Sequence, residues 1–516
     1  MKRIDLNLIS AIDIGSNYIR MCIAEISPHG DIVIIEDLIQ STDIGRDTFS
    51  QGRISVETLN KTCETLYGFL QLLKEYKIKN SIAVSTTGLR EAKNQDYVIE
   101  QIRLKTGIEI NVINTSQERF FMYKALRDKT YSLDFMNSKP TLIVNITSGG
   151  VEISIYEKGN LKITEYIKIG SLRLREQLST LENVTFDFPE IMKEFIESKI
   201  QSLKEVIKDT KIKYFIGLGG ELNIISSLCK HIDKPVSDNN FISCNKIEAL
   251  YSSLIKMTSE QIIERYEISK KQEELLLPSI IFFKVFLEYT QADGIHAPRI
   301  SLKHGLLHHM YEKKLNDTDS EKYNNDIINS TLYIASKYNI HKNHGDHVKN
   351  LALSIFDQTL KVHCLNRRER LYLEIAAILH DVGKYVSYSD HDLHSYNIIK
   401  TQNITGLSDD ELLIIANIAR YHEDEIPEPS QDNYNSLNFK DRMVVSKLAA
   451  ILQIAESLDV SHKQKISKIS VTISGNNIQF TPLSKENILL EQWYFTNSSG
   501  LFEEVFALKP IMKYKG

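Results

Sequence analysis

Three short turns carry the first hint of chemistry. Gly15-Ser16-Asn17, Ser148-Gly149-Gly150 and the GLGG run at 217–220 each follow an apolar, strand-like segment. A glycine-containing turn lets the backbone approach an anion closely and aim N–H groups at it. Asp13, just ahead of the first turn, is suited to orient a Mg2+ ion or a water. The first two turns also read as one unit used twice. Aligning AIDIGSNYIRM (11–21) with IVNITSGGVEI (143–153) sets Asp13 on Asn145, Ser16 on Ser148 and Arg20 on Glu152. A single turn of this kind is more often a tight hairpin with a polar side chain. Three of them suggest a cleft lined by backbone donors.

A second group lies far along the chain. His380-Asp381 ends the apolar helix LYLEIAAILHDVGK, placing an imidazole and a carboxylate at one helix end. His347 lies on the amphipathic DHVKNLALSIFDQTL, and Asp459 ends LAAILQIAESLDV, so both can close a site from neighbouring helices. Mixed imidazole and carboxylate ligands suit Mn2+, Fe2+ or Zn2+ and leave positions open for water and phosphate. Lys384, after LHDVG, is a further candidate phosphate contact, or simply a surface lysine.

The elements that must position these groups follow from periodicity. Residues 7–40 read as three strands. Ser55 is a suitable N-cap for a helix over 56–76, where Leu59, Leu66, Phe69, Leu70 and Leu73 make an apolar face. SIAVST reads as a strand, GLREAKNQDYVIEQIRLKTG as a helix ending at Gly107, IEINVIN as a strand and SQERFFMYKALRD as a helix. The alternation predicts an α/β half with mixed sheets. A polar linker is expected over 313–326, helices over 327–463, and a small β-rich or α+β cap over 464–516.

Composition sets limits. A chain of 516 residues is too long for one core. A net charge of -5 gives no basic field for polyanions, so any phosphate site must be built locally. Five dispersed cysteines without a CxxC pair read as reduced core thiols. Acidic and polar residues interrupt the N-terminal segment, so no signal peptide is expected, and no apolar run reaches the ~20 residues of a membrane span. The expected location is cytoplasmic, with neither DNA nor membrane as partner.

The ordered motifs carry a resemblance. AIDIGSNYIRM resembles the DxGSNSxR signature of the exopolyphosphatase/guanosine pentaphosphate phosphohydrolase family. STTGLREAKN (85–94), INTSQERFFM (113–122), NITSGGVE (145–152) and GLGGELNII resemble its later segments in order and spacing, over roughly the first 310 residues. The resemblance implies two ribonuclease-H/actin-like lobes, over 1–134 and 135–312, with polyphosphate or a phosphorylated guanosine between them and a homodimer as the assembly. It implies Glu118 as the base that activates water. Gly15, Ser16, Asn17, Ser148, Gly149, Gly150 and Gly219 become phosphate-binding, Arg20 and Arg90 charge-stabilising, and Asp13 and Glu152 Mg2+- or water-positioning. The chain departs from the family pattern at Tyr18, Gln117, Asn145, Thr147, Ser148 and Lys303. Asn145 removes an anionic Mg2+ ligand, and Thr147 and Ser148 are expected to crowd the second loop.

The helical half resembles the HD phosphohydrolase superfamily, an all-α domain with an H…HD…D order. That resemblance implies His347, His380, Asp381 and Asp459 as metal ligands, with His394 and His422 for a second metal. His391 is a lesser candidate, and His341 and His344 are expected to stay solvated. Three readings stand: a phosphoanhydride hydrolase acting on polyphosphate or pppGpp; an HD-type nucleotide phosphohydrolase with the first half as regulator; and a non-catalytic sensor of a phosphorylated signal.

Overall fold

The computed structural model describes residues 8–27, 31–129, 139–158, 160–182, 184–185, 187–230, 240–315, 320–340, 342–423 and 425–513. They fall into two compact units, Met1–Glu321 and Lys322–Gly516.

In the first unit, β1 (Leu8–Ile14), β2 (Tyr18–Ile26) and β3 (Ile32–Ser41) form an antiparallel meander, and β4 (Asn80–Ser85) and β5 (Asn111–Val112) extend it in parallel. Their order is β3-β2-β1-β4-β5. The same plan returns in β6 (Thr141–Ile146), β7 (Val151–Glu157), β8 (Asn160–Ile167), β9 (Tyr214–Leu218), β10 (Phe241–Ser243) and β11 (Gly294–His296), ordered β10-β11-β9-β6-β7-β8. The internal repeat is visible in register: Asp13 pairs with Arg20 across the first hairpin, and Asn145 with Glu152 across the second.

Successive strand residues point to opposite faces, and β1 is buried on both. Ile12 and Ile14 join Leu66 and Phe69 in one core, while Ile9 and Ala11 join Phe121, Leu306 and Leu307 in another. That second core also takes Ile143, Ile216 and Leu218 from the other sheet. The helices Thr115–Lys129 and Leu302–Leu315 therefore lie between the sheets, and the module's last helix returns to pack on β1.

Ser55 caps the Val56–Glu75 helix by accepting from the Thr58 N–H. The segment 88–107 is not one helix: Thr87–Arg90 is a single turn, and Gln95–Thr106 is a separate helix ended by Gly107 at φ 74°. Within the expected linker, helices run to Leu315 and restart at Ser320; residues 316–319 lie outside the described residues.

The second unit is helical with a small sheet. Helices Ser320–Lys337, Lys342–Gln358, Arg367–Leu379, His391–Ile399, Asp409–Arg420 and Phe439–Ser457 precede β12 (Ile466–Ser474), β13 (Asn477–Ser484) and β14 (Lys509–Met512). One core runs through both parts, from Ile327 and Ile378 to Phe480 and Phe502. No described helix is long and apolar enough to cross a membrane.

Candidate functional sites

The first unit holds a cleft of about 460 Å³ lined by residues of both hairpins, including Asp13, Gly15, Ser16, Asn17, Arg20, Glu118, Asn145, Thr147, Ser148, Gly219 and Lys303. Arg90, Gly149, Gly150 and Glu152 are not among its lining residues. Arg90 braces Glu118 from behind, at 3.9 Å, while donating to the Ile113 carbonyl and to Thr87 Oγ1.

Glu118 sits in the first turn of its helix, and the sequence fixes that turn. Gln117 N–H donates to Asn114 Oδ1, and Asn114 N–H donates to Gln117 Oε1, a reciprocal cap. Gln117, a departure from the family pattern, thus orients the start of the Glu118 helix. Burial and the nearby Glu152 carboxylate push the Glu118 carboxyl up to about 8, against the pull of Arg90. Burial also raises Glu152, opposed by Arg119 and by a hydrogen bond from Asn145 Nδ2 at 3.0 Å. Asp13 is raised by burial despite Arg20, 3.4 Å away, and Lys303. Lys303 is nearly buried and donates to Asp37 of β3.

The turns are anchored by their carbonyls. Thr42 and Gly45 N–H groups donate to Asn17 and Ser16, and Ser171 and Arg173 N–H groups donate to Thr147 and Ser148. An anion site needs carbonyl oxygens engaged elsewhere, because they repel the ligand. Thr147 and Ser148 both line the cleft at the second turn. The Thr147 hydroxyl is not directed at a ligand. It folds back, donating to the Gly150 carbonyl and accepting from the Gly150 N–H. Gly150 has no room for a side chain, since a Cβ there would stand 2.3 Å from the Tyr166 hydroxyl. Gly219, at φ 128°, would press a Cβ to 2.3 Å from the Ile146 carbonyl.

In the second unit several histidines and carboxylates converge. His344, His380 and Asp381 have ligand atoms within 4.8 Å of one another, as do Asp381, His391 and His422, and also His344, Glu456 and His462. Four imidazoles commit Nδ1 to an acceptor: His344 to Asp459 Oδ2 at 2.9 Å, His380 to Ala377 O at 2.9 Å, His391 to Tyr388 O at 3.2 Å, His422 to Ala419 O at 2.7 Å. That pattern fixes the tautomer and leaves Nε2 for a metal. Buried His344 Nε2, His380 Nε2, Asp381 Oδ1 and Glu456 Oε2 have no regular hydrogen-bond partner. Burial opposes a charged His344, but Asp459 and Glu456, whose Oε1 is 3.2 Å from Nε2, outweigh it and push it up to about 10, so a metal binding at Nε2 would displace that proton. Burial and His380 push His422 down to about 4. Asp381 is held well below the carboxylate range: burial opposes its charge, but His380, His422 and Lys384 prevail.

Several expected ligands change. His347 stands outside these groups, although its buried Nε2 also lacks a hydrogen-bond partner, whereas His344, expected to be solvated, is only 2% exposed and lies in two of them. His391 replaces His394, which is half-buried and in none of them. Asp459 is in none either; it orients His344, and Glu456 stands in the group instead. Lys384 is tied to Asp381 Oδ2 at 2.7 Å. His341 lies outside the described residues. Sequence reasoning missed Glu456 and His462, and in the cleft Glu221, Thr86, Thr87 and Arg299. The one available signal for Glu456 was its place three residues before Asp459.

The two-lobed module with paired hairpin turns on either side of one cleft defines an actin-like α/β protein. Residues 22–314 match the model of the Ppx/GppA phosphatase family, and 328–498 match the model of that family's domain III. The chain belongs to the Ppx/GppA phosphatase family and is a hydrolase of that family. The guanosine-5'-triphosphate,3'-diphosphate pyrophosphatase of Vibrio vulnificus is 23% identical over 502 residues, 94% of this chain and 95% of that protein. A bifunctional 3-dehydroquinate synthase/phosphatase of Fusobacterium nucleatum is 24% identical over 301 residues; the match covers 55% of this chain and 44% of that protein's length. An exopolyphosphatase from Cytophaga hutchinsonii shares the fold, with a TM-score of 0.54 at 20% identity over 60% of this chain and 98% of that one.

Proposed function

We propose that the cleft hydrolyses a terminal phosphoanhydride, releasing phosphate from inorganic polyphosphate, from pppGpp, or from both. The observation that carries this reading is Glu118: a buried carboxylate on the cleft wall, braced by Arg90. Water attacks the terminal phosphorus, its proton passes to Glu118, and the P–O–P bond breaks with its oxygen staying on the shortened chain. Gly15, Ser16, Asn17, Ser148 and Gly219 cradle phosphate, Gly149 and Gly150 shape the second turn, and Arg20 and Lys303 supply positive charge. Asp13, on the cleft wall, offers a hard oxygen donor of the kind Mg2+ prefers, and Glu152, behind the wall between Arg119 and Asn145, would act on that ion or on water only at one remove. Mg2+ there would neutralise phosphate charge.

A second reading is favoured by the histidine cluster. His344, His380, Asp381, His391, His422 and Glu456 fit Mn2+, Fe2+ or Zn2+, in the manner of an HD-type site, and a metal there would supply Lewis acidity toward a phosphoester. Asp459 holds the His344 ring in place for it.

Phosphate release by Glu118→Gln and Asp381→Ala variants separates the two. We expect Glu118→Gln to lose about 10²- to 10⁴-fold in kcat, the usual range for a general base, with Asp381→Ala nearly intact. The opposite pattern would transfer the reaction to the histidine cluster and sink the first reading. The conformer that assembles, expected to be a homodimer, is measured by light scattering on the same samples.

A further inference from the structure

A phenol stands against the second turn with its hydroxyl unsatisfied. Tyr166 pairs with Glu152 across β7 and β8, so the two side chains leave the sheet on one face. The Tyr166 ring lies over Gly150, where a Cβ would be 2.4 Å from two of its carbons. Thr87, from the other lobe, lies over the preceding residue: a Cβ at Gly149 would be 2.5 Å from Thr87 Cγ2. Two adjacent glycines thus let a tyrosine and a threonine close on the turn from opposite lobes. Thr87 itself lines the cleft, as Glu118 does.

The Tyr166 hydroxyl is buried and has no regular hydrogen-bond partner. A buried polar group left unpaired is costly, so such a hydroxyl points to a partner that arrives with function. Burial and the Glu118 carboxylate push the phenol up to about 12, against Arg90 and the Thr87 hydroxyl, so it stays a neutral O–H donor. Arg90 offers it no acceptor, because a guanidinium only donates. Its N–H groups are also engaged, at Thr87 Oγ1, 2.9 Å away, and at the Ile113 carbonyl. The charged acceptor that Arg90 braces, at 3.9 Å, is Glu118. Hydroxyl and carboxylate do not bond directly, and one water between them would satisfy both.

We propose that Tyr166 is a second holder of the attacking water, its hydroxyl donating to the water oxygen while the water donates one proton to Glu118. One oxygen lone pair is then taken up by Tyr166, and the other is free to face the terminal phosphorus. In the step, the water oxygen bonds to phosphorus and its proton goes to Glu118. The P–O–P bond breaks, and its electron pair stays on the shortened chain. Tyr166 keeps its proton throughout and contributes orientation. The inference rests on the phosphohydrolase reading of this cleft and adds to it the group that aims the nucleophile.

A double-mutant cycle on phosphate release from polyphosphate and pppGpp tests it, run at about pH 9, above the value of about 8 to which Glu118 is raised. Tyr166→Phe is expected to lower kcat about 10- to 100-fold and to leave KM within about twofold. In a Glu118→Gln background the same change is expected to cost less than about threefold, since a water without its base gains little from a second holder. Urea unfolding of Tyr166→Phe should match or exceed wild type, because only an unpaired hydroxyl is lost. An unchanged kcat, a change in KM alone, or equal fold-losses in both backgrounds overturns the inference. Lost activity together with lost stability assigns Tyr166 to packing and also overturns it. Turnover that depends on Glu118 but not on Tyr166 sinks the inference alone. Turnover indifferent to Glu118→Gln, or none in the wild type, sinks the hydrolase reading and the inference with it.

Discussion

Four imidazoles in the second unit commit Nδ1 to an oxygen acceptor, and the identity of the inward-facing residues has a simple geometric basis. Three residues that the HD resemblance implies as ligands stand outside the converging groups, and each has a candidate three residues earlier inside them: His344 for His347, His391 for His394, Glu456 for Asp459. Residues i and i+3 share a helix face, so periodicity does not choose between His344 and His347 or between His391 and His394, whereas Asp459 lies in the turn past the helix end at Ser457. The chosen member is in each case nearer the N-terminus, and the choice depends on where the helix enters the bundle. We expect His344→Ala to lose most of the bound metal by elemental analysis of the purified protein, and His347→Ala to retain it. Retention in His344→Ala would remove that side chain from the ligand set. What the sequence did make legible here was the adjacent His380-Asp381 pair and His422, because the HD dipeptide ends an apolar helix and needs no choice of face. Glu221 was invisible for a different reason: a glutamate in a first helical turn looks solvated until the opposing wall is known.

At the level of elements, local chemistry was the most readable. Ser55 and Gly107 mark helix ends by their own hydrogen bonding and φ, whereas the break between Arg90 and Gln95 arises where the Asn94 amide pairs with the Ile54 backbone, a partner 40 residues away. IEINVIN shortens to a two-residue strand because it sits at the edge of its sheet, where only β4 pairs with it. One helix start offers a pH test. Glu411 closes the capping box of the Asp409–Arg420 helix with Ser408 and receives Arg368 Nε at 2.7 Å and Tyr372 Oη at 2.6 Å. Burial opposes its charge, but Arg368 and Tyr372 hold its carboxyl below the usual value. A depressed folded-state pKa gives stability that is present above the unfolded value, about 4.3, and lost as pH falls below it. Glu411→Gln is expected to cost about 1–3 kcal/mol in urea unfolding at pH 7. The cost should shrink as pH falls below 4.3, and a pH-independent difference would show that the charge is irrelevant.

Across the first unit, the helix Ile44–Gln51 stands behind the first turn and joins the two lobes. Arg46 reaches Glu274 at 2.5 Å and Glu176 at 3.4 Å, Lys271 donates to Asp43 and to the Thr42 carbonyl, and the Phe49 ring lies 4.4 Å from the Arg173 guanidinium. Such half-exposed pairs are worth at most about 1 kcal/mol each, so they bias how the lobes meet more than they stabilise the fold. The double variant Arg46→Ala/Lys271→Ala is expected to lower kcat/KM for phosphate release about two- to tenfold at low salt, with the gap to wild type closing in about 0.5 M salt. A salt-independent gap would point to lost packing instead. The two sheets of one plan were legible from the repeated hairpin, but the return of Leu302–Leu315 to the first sheet was not, because nothing local encodes a contact 290 residues back. That return has a consequence for how the molecule is made. While a ribosome is still adding the residues between Leu126 and Leu315, roughly 10–40 s at ordinary elongation rates, the face of β1 bearing Ile9 and Ala11 lacks its covering helix. The nascent chain therefore carries an open apolar sheet through most of the module's synthesis, which makes it a natural client for chaperones that bind chains as they emerge.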